Sequence, residues 1–106
     1  MFIINNIMWQ IVFVPSDSDK LMRSDGSISL AVTDFNDKTV YVSDNVKNGY
    51  LRKIMAHELC HCFCFSYNIY MPIQQEEYLA DWISLYGADL IYLLDDLMIT
   101  LTRSVA

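Results

Sequence analysis

The sequence predicts an α+β fold: a short antiparallel or mixed sheet of about three strands, then one long helix and one or two further helices, all in a single domain spanning residues 1–106. Three observations lead there. Short β-branched and aromatic runs fill the first 43 residues, and period-two alternation within them marks half-buried strands. At Ser43 the pattern changes to a stretch that continues without a proline to about Ser66, long enough for a substantial helix. Strands come first and helices after, rather than alternating, which argues against a parallel α/β sheet. A chain of this length has room for one hydrophobic core.

The elements follow in order. "WQIVFV" (9–14) ends at Pro15 and reads as the first strand. "SDSDKLMRSDG" is polar and turn-forming, with a short helical turn expected through Lys20 to Arg23. In "SISLAVTD" (27–34), Ile28, Leu30 and Val32 alternate with Ser29, Ala31 and Thr33; "FNDK" turns, and "TVYVS" (39–43) returns. Residues 27–43 are therefore expected to form a β-hairpin. The long helix opens with Ser43, Asp44 and Asn45, side chains able to cap it. "YNIYMP" breaks the chain at Pro72, "IQQEEYLADWISLY" starts the next helix, Gly87 bends or ends it, and "ADLIYLLDDLMITLTR" supplies a third helix or a continuation.

Composition removes several functions. Apolar residues make up 54% of the chain, with three glycines and two prolines, so a disordered reading fails. Thirteen acidic against seven basic residues give a formal charge of −6, which repels phosphate backbones and argues against nucleic acid as a partner while favouring a basic target. "MFIINNIMWQIVFVP" lacks a basic n-region and a small-residue cleavage site, so no signal peptide is expected. "LIYLLDDLMITL" is interrupted by Asp95 and Asp96 and falls short of the roughly 20 apolar residues of a membrane-spanning helix. Cys60, Cys62 and Cys64 are odd in number and crowded into five residues, which is no disulfide framework and fits a reducing, cytoplasmic setting.

The chemistry concentrates in "MAHELCHCFCF" (55–65), which holds both histidines of the chain. On a helix advancing about 100° per residue, His57 and His61 lie within about 40° of each other, one turn apart. Both rings can reach one ion. Glu58 stands about 80° to the side of the pair, away from the ion yet within reach of a water beside it. A hydrolytic zinc site needs this layout, with a metal that keeps an open position and a base next to it. The third ligand is expected from the next helix, where Glu77 and Asp81 share a face at i, i+4 while Glu76 has Ala80 at that offset. Glu77 is thus the expected third metal ligand, and Asp81 the group that accepts a hydrogen bond from the far nitrogen of a ligand histidine.

"HELCH", fifteen intervening residues, then "EYLAD" resembles the gluzincin arrangement, His-Glu-x-x-His followed by Glu-x-x-x-Asp. The Glu-x-x-Ala-Asp form is similar in particular to the ImmA/IrrE-type zinc metallopeptidases of bacteria and mobile elements, over about residues 27–86. The resemblance implies a small zincin-like domain, a Zn2+ ion, and hydrolysis of peptide bonds, often in a repressor or other regulatory protein. Cys62 follows the second histidine and no glycine lies inside the motif. The longer metzincin pattern is rejected, because Cys64 and Tyr67 stand where its glycine and third histidine would be.

Read as an enzyme, the chain uses Glu58 as general base, first taking a proton from water and then giving it to the leaving amine. The peptide or protein substrate is expected to pair with a sheet edge through "TVYVS" or "SISLAVT", with Tyr67, Tyr70 or Tyr78 as candidate donors to the developing oxyanion. A different class is also open: a non-catalytic ImmA-like module that docks to a repressor or a toxin–antitoxin partner. Two bland readings carry less. Core histidines would leave Glu58 buried without purpose, and a Cys2His2 zinc site on one straight helix cannot close, since all four side chains approach from one side. The cysteines read as small buried hydrophobes packing the helix.

Overall fold

The computed structural model describes residues 1–104 as four strands followed by a helical half. Strands β1 (Phe2–Ile4) and β2 (Ile7–Val14) form an antiparallel hairpin. Its two-residue loop is Asn5–Asn6, both at positive φ (48° and 66°), the mirror-image turn that asparagine tolerates and that matches strand twist. After a 3-10 turn at Asp19–Leu21 come β3 (Ala31–Asp34) and β4 (Thr39–Ser43), paired antiparallel. β4 also runs parallel to β2, with Val12 opposite Tyr41, so the sheet is mixed and ordered β1-β2-β4-β3. The class expected from the sequence holds, with one more strand than expected. The hairpin expected at 27–43 is shorter than the alternation suggests: Ile28 makes only an isolated bridge to Met22 before β3 begins.

Helix α1 runs from Asn48 to Ser66. The expected cap is displaced. Ser43 is the last residue of β4 and its hydroxyl donates to Asn45 Oδ1 (2.5 Å), while Lys47 occupies the N-cap without a side-chain bond. Pro72 precedes α2 (Ile73–Trp82), which passes without interruption through a π-helical segment (Ile83–Gly87) into α3 (Ala88–Ser104). The third helix is therefore a continuation, and Gly87 closes the widened turn rather than ending the helix. No helix among the described residues is long and apolar enough to cross a membrane.

α1 is clamped on two sides. Towards the sheet, Cys62 joins the buried cluster of Ile4, Trp9, Ala31, Val40 and Val42. Towards α2, Cys60 and Cys64 pack with Ala80, backed by Met71, Leu79 and Ile83. The spacing explains the split: residues 60 and 64 share a face at i, i+4, and residue 62 points about 160–200° away. The far end of α1 is pinned by Trp9 Nε1, which donates to Ser66 Oγ (2.9 Å), and by Asn5 Nδ2, which donates to the Ser66 carbonyl (2.9 Å).

Candidate metal centre

His57 and His61 leave α1 along the line between its two packed faces and meet α2 at Glu77. The geometry is tight: His57 Nε2 lies 3.1 Å from Glu77 Oε2, His61 Nε2 lies 3.0 Å from Glu77 Oε1, and the two Nε2 atoms are 3.3 Å apart. One ligand atom from each of the three residues falls within 4.8 Å of the others. Nitrogens bound at 2.0–2.1 Å in a tetrahedral site are separated by about 3.3 Å, so the histidine pair is already spaced as two corners of such a site.

The protons make the case stronger. His57 Nδ1 sits 2.9 Å from Asp81 Oδ1, and His61 Nδ1 sits 2.5 Å from Glu76 Oε2. A carboxylate at Nδ1 fixes the ring hydrogen there and leaves the Nε2 lone pair facing the site. Two such lone pairs then confront the two oxygens of Glu77, a set of acceptors with no donor among them. A cation at their centre resolves that repulsion, either a divalent metal or a proton shared into the cluster. The donors fit a metal: two neutral imidazoles and a carboxylate, three ligands from two helices with a side left open.

Glu58 stays outside the ligand set. Its side chain is buried, Oε1 accepts a hydrogen bond from the Thr33 hydroxyl (2.8 Å), and Oε2 lies 4.0 Å from His57 Nε2. The carboxylate is thus aimed at the open side of the cluster and fixed there from β3. His57, Glu58, His61 and Glu77 line one cavity of about 290 Å³, whose wall includes Ala31 and Thr33 on β3. The cysteines take no part. All three are buried and free, and burial pushes the Cys60 and Cys62 thiols up to about 12, which keeps them protonated and poor ligands.

The five residues singled out in the sequence are brought together: His57, His61 and Glu77 around one point, Glu58 beside it, and Asp81 behind His57. Two roles lie outside the sequence reading, which passes over Glu76 as third ligand and does not single out Thr33. Glu76 is the partner of His61, and Thr33 holds Glu58. For Glu76 a signal existed, because α1 and α2 run antiparallel across the site: if residue 81 faces 57, then residues 76 and 77 face 61. For Thr33 none did, since its contact depends on where β3 docks. Tyr67 stacks on Phe63, Tyr70 and Tyr78 are more than 70% exposed, and none of the three lines the cavity; Arg23, from the loop before β3, does. The chain matches no protein-family model, no curated protein and no solved structure.

Proposed function

We propose that this chain is a metal-dependent peptidase, with zinc as the ion that two imidazoles and one carboxylate favour. The observation that carries the reading is the separation of roles between two carboxylates: the partly exposed Glu77 faces both Nε2 atoms, while the buried Glu58 stands 4.0 Å aside, held by Thr33. A purely structural site has no use for the second carboxylate. When bound, the ion supplies Lewis acidity and brings the pKa of water down towards about 7. Glu58 takes a proton from the attacking water and returns it to the leaving amine. Asp81 and Glu76 hold the two imidazoles in the tautomer that presents Nε2 to the site.

The substrate is a peptide laid along β3. β4 is internal to the sheet and β3 is its outer strand, so of the two candidate strands only the "SISLAVT" side offers an edge beside Glu58. An extended chain adding to that edge gains main-chain hydrogen bonds, and Met22, Phe35 and Ile73 in the cavity wall suit an apolar substrate side chain. A regulatory protein such as a repressor is the substrate that the ImmA/IrrE resemblance implies. The test is Glu58→Gln with zinc present, assayed against a panel of cytoplasmic proteins for cleavage and by elemental analysis for metal. Cleavage by the native chain that disappears in the variant, with zinc retained, supports the reading. Biological activity unchanged in Glu58→Gln would instead make the chain a docking module.

A further inference from the structure

α3 leaves the body of the molecule. Among the described residues it packs extensively only against the π segment that leads into it, and the chain measures 56 Å along its longest axis against 30 and 27 Å across. A compact domain of this length has a radius of gyration of about 13 Å; here it is 16.3 Å. Yet the helix is not polar. Leu90, Ile91, Leu93, Leu94, Leu97 and Met98 are each 46–60% exposed and fall within an arc of about 160° at 100° per residue. Asp89, Asp96 and Arg103 lie on the other side.

We propose that α3 is a homodimerisation helix, against which a second copy of this chain lays its own α3 antiparallel. Leu90, Leu94 and Leu97 step by four and three residues, the spacing of a coiled-coil seam. With Leu94 opposite Leu97 of the second copy, the two-fold axis brings Ile91 of each helix beside Met98 of the other, so the stripe is complementary to itself, as an isologous contact requires. Parallel pairing would align the helix dipoles and crowd both bodies at one end. At the base of α3 the second helix finds a groove of about 810 Å³ between Met55 and Leu59 on α1 and Ile83 and Leu90 on the rod.

The area suffices. Six half-exposed apolar side chains offer on the order of 600 Å² per copy and ~1,200 Å² for the pair, the lower bound of a specific interface before the groove is added. A membrane surface fits worse, because interfacial helices carry Lys and Arg on their polar face.

Analytical ultracentrifugation of the full chain should give twice 12.3 kDa at micromolar concentration. Leu94→Glu combined with Leu97→Glu should give a monomer of unchanged far-ultraviolet circular dichroism, while Thr102→Glu stays dimeric. Spin labels at Thr102 should lie roughly 20 Å apart along the helix axis, 13 residues at 1.5 Å each; a distance typical of side-by-side labels overturns the antiparallel arrangement. A native chain that sediments as a monomer throughout, or a double variant that remains a dimer, overturns the proposal. Should the double variant lose helicity, hydrogen exchange of the native chain decides: α3 amides protected at high concentration and released on dilution support it, and equal exchange at both refutes it.

Discussion

The two carboxylates behind the histidines differ in a way that sets the size of their effects. Glu76 approaches His61 Nδ1 to 2.5 Å with its side chain 12% exposed, whereas Asp81 approaches His57 Nδ1 to 2.9 Å with its side chain 67% exposed. Losing such a partner costs about 10–100-fold in metal affinity, or ~1.4–2.7 kcal/mol. At Asp81 water takes over as acceptor once the carboxylate is gone, so Asp81→Ala should fall near ~10-fold. At Glu76 the ring N–H would be left buried and unpaired, so Glu76→Ala should approach ~100-fold. Glu76→Gln separates the two contributions of the residue: its amide oxygen still accepts from Nδ1 and preserves the tautomer, but the negative charge is lost, so its affinity should lie between native and alanine. Competition titration of zinc against a chromophoric chelator near neutral pH measures all three, with thermal unfolding of the metal-free variants as a check on the fold. Equal losses at both positions, a larger loss at Asp81, or no loss at either would refute the argument from burial.

Further outcomes follow from contacts around the site. Thr33→Val removes the hydroxyl that holds Glu58 Oε1 and should lower turnover in the proposed peptidase reaction by about 10- to 100-fold, the worth of one hydrogen bond to a charged group, with zinc affinity unchanged by the same titration. Ser66→Ala leaves the Trp9 indole N–H buried without its acceptor and should cost about 1–3 kcal/mol in urea unfolding. The thiols give a pH dependence whose sign is fixed. Burial raises Cys60 and Cys62 from 9.0 to about 12, so the stability they contribute is complete below about pH 9 and is lost as pH rises from about 9 to 12, because the unfolded chain releases those protons first. Native cysteines should correspondingly resist iodoacetamide at about pH 8, where the unfolded chain reacts readily.

The sequence made the helical half of the site readable and left the sheet half mostly dark, for a physical reason. Helical neighbours are fixed by spacing alone, so His57 with His61 and Glu77 with Asp81 could be paired on paper at i, i+4. What a strand touches depends on sheet order, and order is set by long-range pairing. Nothing local in "TVYVS" says that it lies between β2 and β3, so the edge beside Glu58 could not be chosen, nor Thr33 assigned. β1 was hidden differently. Its three residues are too few for alternation to register, and the turn chemistry of Asn5–Asn6 was the readable cue. The helix start failed because Ser43 and Asn45, good caps by type, bond each other and the chain needs two further residues to turn the corner.

The three cysteines and Ala80 bear on function through their size. Around α1, Cys60 and Cys64 face α2, the histidines come next, and Glu58 and Cys62 turn towards the sheet, so the candidate ligand histidines occupy the corner where the two apolar interfaces meet. The distance from His57 and His61 to Glu77 is then governed by how closely α2 approaches, and at the contact Ala80 is fully buried between Cys60 and Cys64. A larger side chain at 80 has nowhere to go but against α1, and overpacking of that kind costs about 1–3 kcal/mol. The same push would carry Glu77 and Asp81 away from the rings together, since both stand within one turn of Ala80 on the same helix. The alanine in "EYLAD" therefore belongs to the site as much as the acids around it do: it contributes no donor atom, and it sets the spacing of those that others supply.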